Sequence, residues 1–135
     1  YVGKEEFHAF LTECDFVVIV LPLTDATRGL FDEAAFAAMR DGVYVINVGR
    51  GPIVDEQALI RALESGKVAG TTLDVFDVEP LPADHPFWSM DNVVVTPHMS
   101  GPTVAEEVTA PFLENMERFL AGEPLLKQVD LSRGY

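Results

Sequence analysis

Four short apolar runs rich in β-branched residues, separated by stretches with helical spacing, leave few folds open to this chain. The first run, Phe16-Val17-Val18-Ile19-Val20-Leu21, is closed by Pro22. Gly42 opens Val43-Tyr44-Val45-Ile46-Asn47-Val48, Gly70 opens Thr71-Thr72-Leu73-Asp74-Val75, and Asn92-Val93-Val94-Val95-Thr96 ends at Pro97. Each is too short for a stable helix and β-branched enough for a strand, and the unbroken first run predicts a strand buried on both faces. Between the first two runs, Asp32 is placed to cap a helix with Ala35, Phe36 and Met39 on one face and Gly42 beyond its end. Between the second and third, Asp55 is placed to cap a helix carrying Leu59, Ile60 and Leu63 and finished by Gly66. Strand, helix, strand, helix, strand is the pattern of βαβ units, so the predicted class is α/β with a parallel sheet.

The flanks extend this plan. Phe7, Phe10 and Leu11 fall at helical spacing between Lys4 and Cys14, which reads as a crossover helix arriving from an earlier strand. Thr103-Val104-Ala105-Glu106 reads as a capping box that opens a long helix. Val104, Val108, Phe112, Met116, Phe119 and Leu120 keep one apolar face through to Gly122, with the Met and Phe residues expected in the core and Pro111 expected to kink or break the helix. An all-apolar first strand with nothing upstream to cover its other edge invites pairing, so the chain is expected to be part of a longer one.

Charge and cysteine usage narrow the class of partner. Against 22 acidic residues stand 9 Lys and Arg, a formal net charge of −13, which argues against nucleic acid or an anionic membrane surface. The apolar run of Phe16 to Leu21 is far below the roughly 20 residues that span a bilayer, and a soluble, cytoplasmic protein is expected. The single Cys14 rules out an intramolecular disulfide and suits a reducing compartment; with no positive neighbour in sequence it reads as a small buried apolar group and not a nucleophile.

In open parallel sheets, ligands sit beyond the carboxyl ends of the strands. Here the second run leads into Gly49-Arg50-Gly51, the third into Asp74-Val75-Phe76-Asp77-Val78-Glu79-Pro80, and the fourth into Pro97-His98-Met99-Ser100-Gly101. A guanidinium, a carboxylate and an imidazole are thus expected on one edge, with the glycines around Arg50 letting backbone approach a ligand closely. These groups suit interconversion of a 2-keto acid and a 2-hydroxy acid. Arg50 can hold the substrate carboxylate through a fork of N–H groups, and His98 can deliver the proton that a developing alkoxide needs. Glu79 is the expected partner of His98, because a carboxylate on the far ring nitrogen orients an imidazole and favours its acid form; Asp74 or Asp77 could take that place on spacing alone.

Competing readings attach to several of these residues. Asp74, Asp77, Glu79 and His98 could form an oxygen-rich metal site, but three carboxylates within six residues more often make a solvated acidic stretch, and no metal is expected. His8 and His85 read as structural, and Phe87 and Trp88 as anchors of a loop against the body of the domain, with Trp88 able to border the substrate.

NVGRGPIVDEQALIRAL, LDVFDVEPLPADHPFW, TPHMSG and, at residues 21 to 31, LPLTDATRGLF together closely resemble the cofactor-binding domain of the D-isomer-specific 2-hydroxyacid dehydrogenases, over nearly the whole chain. The match is strongest toward the glyoxylate/hydroxypyruvate reductase-like branch, which the terminal VDLSRGY also resembles. The resemblance implies the C-terminal portion of a Rossmann-type domain over residues 1–122 and, over residues 123–135, a tail returning to the substrate domain. It implies Arg50, Glu79 and His98 as substrate-binding arginine, acid partner and proton donor, and NAD or NADP as cofactor. It further implies that Leu21 and Pro22 line the adenosine side, that Val48 and Gly49 border the nicotinamide with Arg50 and His98 beside it, that Asp74 receives the carboxamide, and that Ser100 and Gly101 close that end. A missing N-terminal half and a homodimer are the implied protein partners.

The family's G-x-G-x-x-G phosphate loop has no counterpart in these residues. The expected consequence is that the chain alone binds dinucleotide poorly and turns nothing over. A dinucleotide-sensing regulatory protein of the corepressor type, which shares this scaffold and a similar trio, is the alternative to an enzyme.

Overall fold

The computed structural model describes residues 3–101 and 104–132. It divides into two compact units, residues 1–100 and 101–135. In the first, strands β1 (Phe16–Ile19), β2 (Val43–Asn47), β3 (Val68–Leu73) and β4 (Val93–Val95) form one parallel sheet in chain order. Helix α1 (Phe7–Leu11) precedes β1, α2 (Glu33–Ala38) joins β1 to β2, and α3 (Glu56–Glu64) joins β2 to β3. A loop holding a short 3-10 turn, Pro86–Ser89, leads from β3 to β4.

Both inner helices start where their caps predict. Asp32 Oδ1 accepts the Ala35 N–H at 2.9 Å, and Asp55 Oδ1 accepts the Ala58 N–H at 3.0 Å, each satisfying a donor that the first helical turn leaves open. The predicted apolar faces are buried: Ala35, Phe36 and Met39 from the first, Leu59, Ile60 and Leu63 from the second. They pack with Leu11 and Phe31 against Val17, Ile19, Val43, Val45 and Leu73 on one face of the sheet. The predicted fold class is the observed one.

Three expectations change. Strand β1 is not buried on both faces, for Phe16 and Val18 are 68% and 54% exposed while Val17 and Ile19 are buried. An unbroken apolar run carries no period, so it cannot report which face is covered; the helices of this unit cover one face only, and Phe16, Val18 and Val94 lie on the other. Strand β3 starts at Val68, so Gly70 lies inside it. A Cβ at Gly70 would come within 2.7 Å of the Tyr44 ring and 3.1 Å of the Asn92 carbonyl oxygen, so this glycine makes room for a cross-strand aromatic and does not punctuate a turn. Cys14 is only partly buried; its Sγ donates to the Phe10 carbonyl at 3.3 Å. Desolvation and then the charges of Glu13 and Asp15 hold its thiol above the ordinary range, which leaves it a poor nucleophile.

The second unit is built on α4 (Ala105–Ala121), which continues through Pro111 and ends at Gly122 with φ +71°. Pro111 therefore does not break the helix. No residue of α4 is buried, against the expectation that its Met and Phe side chains lie in the core, and Phe112 and Phe119 are 64% and 70% exposed. Asn115 clasps the following segment, accepting the Leu126 N–H at 2.7 Å and donating to its carbonyl at 3.2 Å. Thr103, the expected cap, lies outside the described residues, and Val104 at the helix start provides no side-chain cap.

Candidate active site

The turn after β2 is shaped from inside by a residue that the reading of the sequence passed over. Asn47, 1% exposed, accepts the Gly49 N–H at 3.1 Å and donates to the Arg50 carbonyl at 3.2 Å, so one buried amide sets the backbone on both sides of the guanidinium-bearing residue. An Asn closing an otherwise apolar strand was the available signal. Arg50 is exposed, in extended conformation, and one of its terminal nitrogens donates to the Gly49 carbonyl at 2.6 Å. A guanidinium has five N–H donors, so the rest of the fork stays available for a carboxylate. The flanking glycines serve the protein itself. A Cβ on Gly49 would lie 2.9 Å from the Leu21 carbonyl oxygen, and one on Gly51 only 1.9 Å from the Phe76 carbonyl carbon.

Two carboxylates of the loop after β3, Asp74 and Glu79, lie in different settings. Asp74, 1% exposed, accepts four hydrogen bonds: Thr96 Oγ1 and the Met99 N–H (2.9 Å) on Oδ1, the Ser100 N–H (2.8 Å) and Ser100 Oγ on Oδ2. Burial pushes its pKa up, yet the bonds from Ser100, Thr96 and Met99 outweigh that and hold it well below the carboxylate range. Glu79 sits farther along, where its Oε1 accepts the Phe76 N–H at 2.9 Å and its Oε2 meets His98 Nδ1 at 2.7 Å. The bond from His98 is the largest influence holding Glu79 below the usual range, followed by the Phe76 N–H; burial opposes them, and the charges of His98 and Arg50 add to the lowering. Glu79, not Asp74 or Asp77, is therefore the partner of His98, while no hydrogen bond or ion pair joins Arg50 to either of them among the described residues.

His98 follows β4 with φ +51°, a left-handed conformation that a non-glycine residue adopts at a cost of order 1 kcal/mol. The turn is over-determined: the His98 N–H donates to Thr96 at 3.1 Å, and Asp74 grips Thr96, Met99 and Ser100 around it. With Nδ1 turned to Glu79, Nε2 is the atom through which the ring can hand over a proton, and the side chain is 49% exposed.

Beside the pair lies a cavity of about 470 Å³, lined by Phe76, Glu79, Pro80, Leu81, Trp88, Val95, Thr96, Pro97 and His98. Phe87 is buried and anchors its loop as expected, while Trp88 is 56% exposed, faces this cavity and fixes its indole by donating to the Pro82 carbonyl at 2.9 Å. Arg50 is not in this lining. His85 is held by the Phe87 N–H and Glu56, and His8 stands exposed on α1. Among the described residues no three His, Cys, Asp or Glu side chains converge as a metal ion requires.

The grip on Asp74 gives a prediction. Asp74→Asn replaces one acceptor oxygen by an NH₂ that faces a donor, and should destabilise the protein by about 3 kcal/mol at pH 7. Because the folded pKa of Asp74 is lowered, its contribution is complete above the unfolded value near about 4 and fades as pH falls through the folded one. Urea midpoints should therefore differ widely between wild type and variant at pH 7 and converge below about pH 4; a constant gap would refute this assignment.

Comparison with known proteins agrees with this geometry. Residues 1–100 match the family described as D-isomer specific 2-hydroxyacid dehydrogenase, NAD binding domain. The glyoxylate/hydroxypyruvate reductase A of Salmonella newport is 41% identical over 135 residues, covering 100% of this chain and 43% of the relative, so the chain spans less than half the length of that curated relative. A D-isomer specific 2-hydroxyacid dehydrogenase of Xanthobacter autotrophicus, solved with NADPH and MES, superposes with a TM-score of 0.97 at 50% identity, over 100% of this chain and 56% of its own. An NADPH-dependent glyoxylate/hydroxypyruvate reductase of Sinorhizobium meliloti, solved with NADP and sulfate, gives a TM-score of 0.92 at 37% identity, over 99% and 44%. With the parallel sheet, the motifs at its carboxyl edge and a family match over most of its length, this chain belongs to the NAD-binding domain family of the D-isomer specific 2-hydroxyacid dehydrogenases.

Proposed function

We propose that the chain is the C-terminal part of a cytoplasmic, homodimeric NAD(P)-dependent reductase of small 2-keto acids such as glyoxylate or hydroxypyruvate. The observation that carries the reading is the His98 Nδ1 to Glu79 Oε2 contact at 2.7 Å. Arg50 binds the substrate carboxylate and polarises the adjacent carbonyl, Glu79 orients the imidazolium, and His98 releases its Nε2 proton to the developing alkoxide. When bound, the dinucleotide supplies the hydride.

The residues present fit one part of that cofactor. Leu21, Pro22 and Ser100 are exposed and Val48 partly so, apolar and small side chains that suit the flat rings of a dinucleotide. On this reading Gly49, Gly101, Arg50 and His98 complete the cofactor contacts. Asp74 serves this site by holding the loop of Met99 and Ser100 in place, with its carboxylate oxygens already engaged. A pyrophosphate cradle is not among the motifs of this sequence, so we assign that part of the dinucleotide to an N-terminal half of the intact protein; the chain covers 43% of the length of the Salmonella newport relative.

Turnover of glyoxylate, hydroxypyruvate and pyruvate by the intact protein with NADPH or NADH tests the reading; no consumption of reduced cofactor with any of them would defeat it. In the same assay Arg50→Ala should raise the KM for keto acid about 100-fold, the worth of a bidentate charge-assisted pair, with cofactor affinity little changed. Arg50→Lys should recover only part of this loss, because a point charge does not reproduce the fork.

A further inference from the structure

Glu56, in the first turn of α3, makes contacts that helix capping does not explain. Asp55 already caps the helix, and the Glu56 side chain turns to the loop after β3, where Oε1 accepts the Asp77 N–H at 2.9 Å. Its other oxygen, Oε2, lies 3.5 Å from His85 Nε2, and both side chains are largely buried, at 13% exposure for His85 and 20% for Glu56. The tautomer follows from the neighbours. His85 Nδ1 accepts the Phe87 N–H at 3.3 Å, so in the neutral ring the proton is on Nε2, the nitrogen that lies 3.5 Å from Glu56. One carboxylate thus ties two segments of the loop that surrounds the Glu79–His98 pair: Asp77, inside the ring that the Phe76 N–H closes onto Glu79, and His85, next to the buried anchor Phe87.

We propose that Glu56, with His85 as its second contact, is a positioning residue for Glu79, holding the Phe76–Glu79 turn so that the Glu79 carboxylate meets His98 Nδ1. It touches neither substrate nor cofactor in this role, and the proposal rests on the reading of Glu79 and His98 given above. Glutamine at position 56 can accept the Asp77 N–H only by turning its NH₂ toward the His85 Nε2 side, so it gives up one of the two contacts. The requirement is geometric, for the site tolerates little misplacement of its proton-transfer pair.

The test is a double-mutant cycle on the intact protein, with keto acid and NADPH. Glu56→Gln should lower kcat about tenfold, leave the KM for keto acid and the NADPH affinity within about twofold, and speed amide exchange at Asp77. In the Glu79→Gln background the same change should have no further effect on kcat, because the group being positioned is gone; a general loosening of the fold would multiply. Wild-type kcat in Glu56→Gln beside a slow Glu79→Gln, or effects that multiply, would overturn the inference alone. A Glu79→Gln protein as fast as wild type overturns the parent reading and this one with it. If Glu56→Gln does not bind NADPH, His85→Asn runs the same cycle, since it keeps an acceptor for the Phe87 N–H and removes only the Nε2 donor.

Discussion

His98→Ala in the intact protein should lower kcat by about 10²- to 10⁴-fold, with KM for the keto acid and affinity for reduced cofactor changed by no more than a few-fold. The asymmetry follows from where His98 sits. Its ring is held by Glu79 through Nδ1, and the loop that carries it is pinned by Asp74 through Thr96 and the Met99 and Ser100 amides, none of which needs the imidazole. On the proposed reading, removing the ring deletes the proton donor and leaves the Arg50 fork in place. Alanine at a left-handed φ of +51° is also strained, by about 1 kcal/mol, so His98→Asn is the better-folded control and should be equally slow. Steady-state kinetics against keto acid and cofactor separately provide the check. A variant with near-normal kcat would mean that the proton comes from elsewhere.

Gly51→Ala should be the most damaging single methyl group in this domain. An added Cβ would sit 1.9 Å from the Phe76 carbonyl carbon, 2.0 Å from its oxygen and 2.5 Å from the Asp77 nitrogen, all backbone atoms that no rotamer change can move aside. Relief requires the turn carrying Arg50 and the turn carrying Glu79 to separate, so the expected cost is about 3 kcal/mol or more, at the upper end of overpacking. Two measurements check it. Urea midpoints should fall by that amount, and any folded fraction should turn over slowly, because the same displacement moves the guanidinium away from the acid–imidazole pair. Gly42→Ala is the contrast: nothing lies within 4 Å of a Cβ there, and only the positive φ opposes it.

Much of the fold was readable along the chain because its signals are local. An Asp three residues before the first buried side chain caps a helix through a contact within one turn, Asp32 toward Ala35 and Asp55 toward Ala58. The pairing at the strand ends was partly accessible, since a parallel sheet delivers every βα loop to the same edge, and Glu79 and His98 do meet there. What could not be read were contacts that depend on the partner across the sheet. Gly70 looked like turn punctuation because its reason to be glycine is the Tyr44 ring on the adjacent strand. Phe16 and Val18 looked buried because hydrophobicity names a tendency and not the layer that satisfies it.

Residue order and residue type were thus enough to specify a parallel α/β sheet, the starts of α2 and α3, and which side chains to propose for the chemistry, because these follow from periodicity, capping and the one-sided delivery of loops. Packing in three dimensions settled the rest. It chose Glu79 over its acidic neighbours, assigned Asp74 to gripping the histidine loop, gave the glycines beside Arg50 to loop-to-loop contact, and placed Asn47 and Glu56 behind the turns they shape. The physical reason is range: a cap or a period acts within a few residues, whereas 21 residues separate Glu56 from the Asp77 amide it holds, and only the folded chain brings them to hydrogen-bond distance.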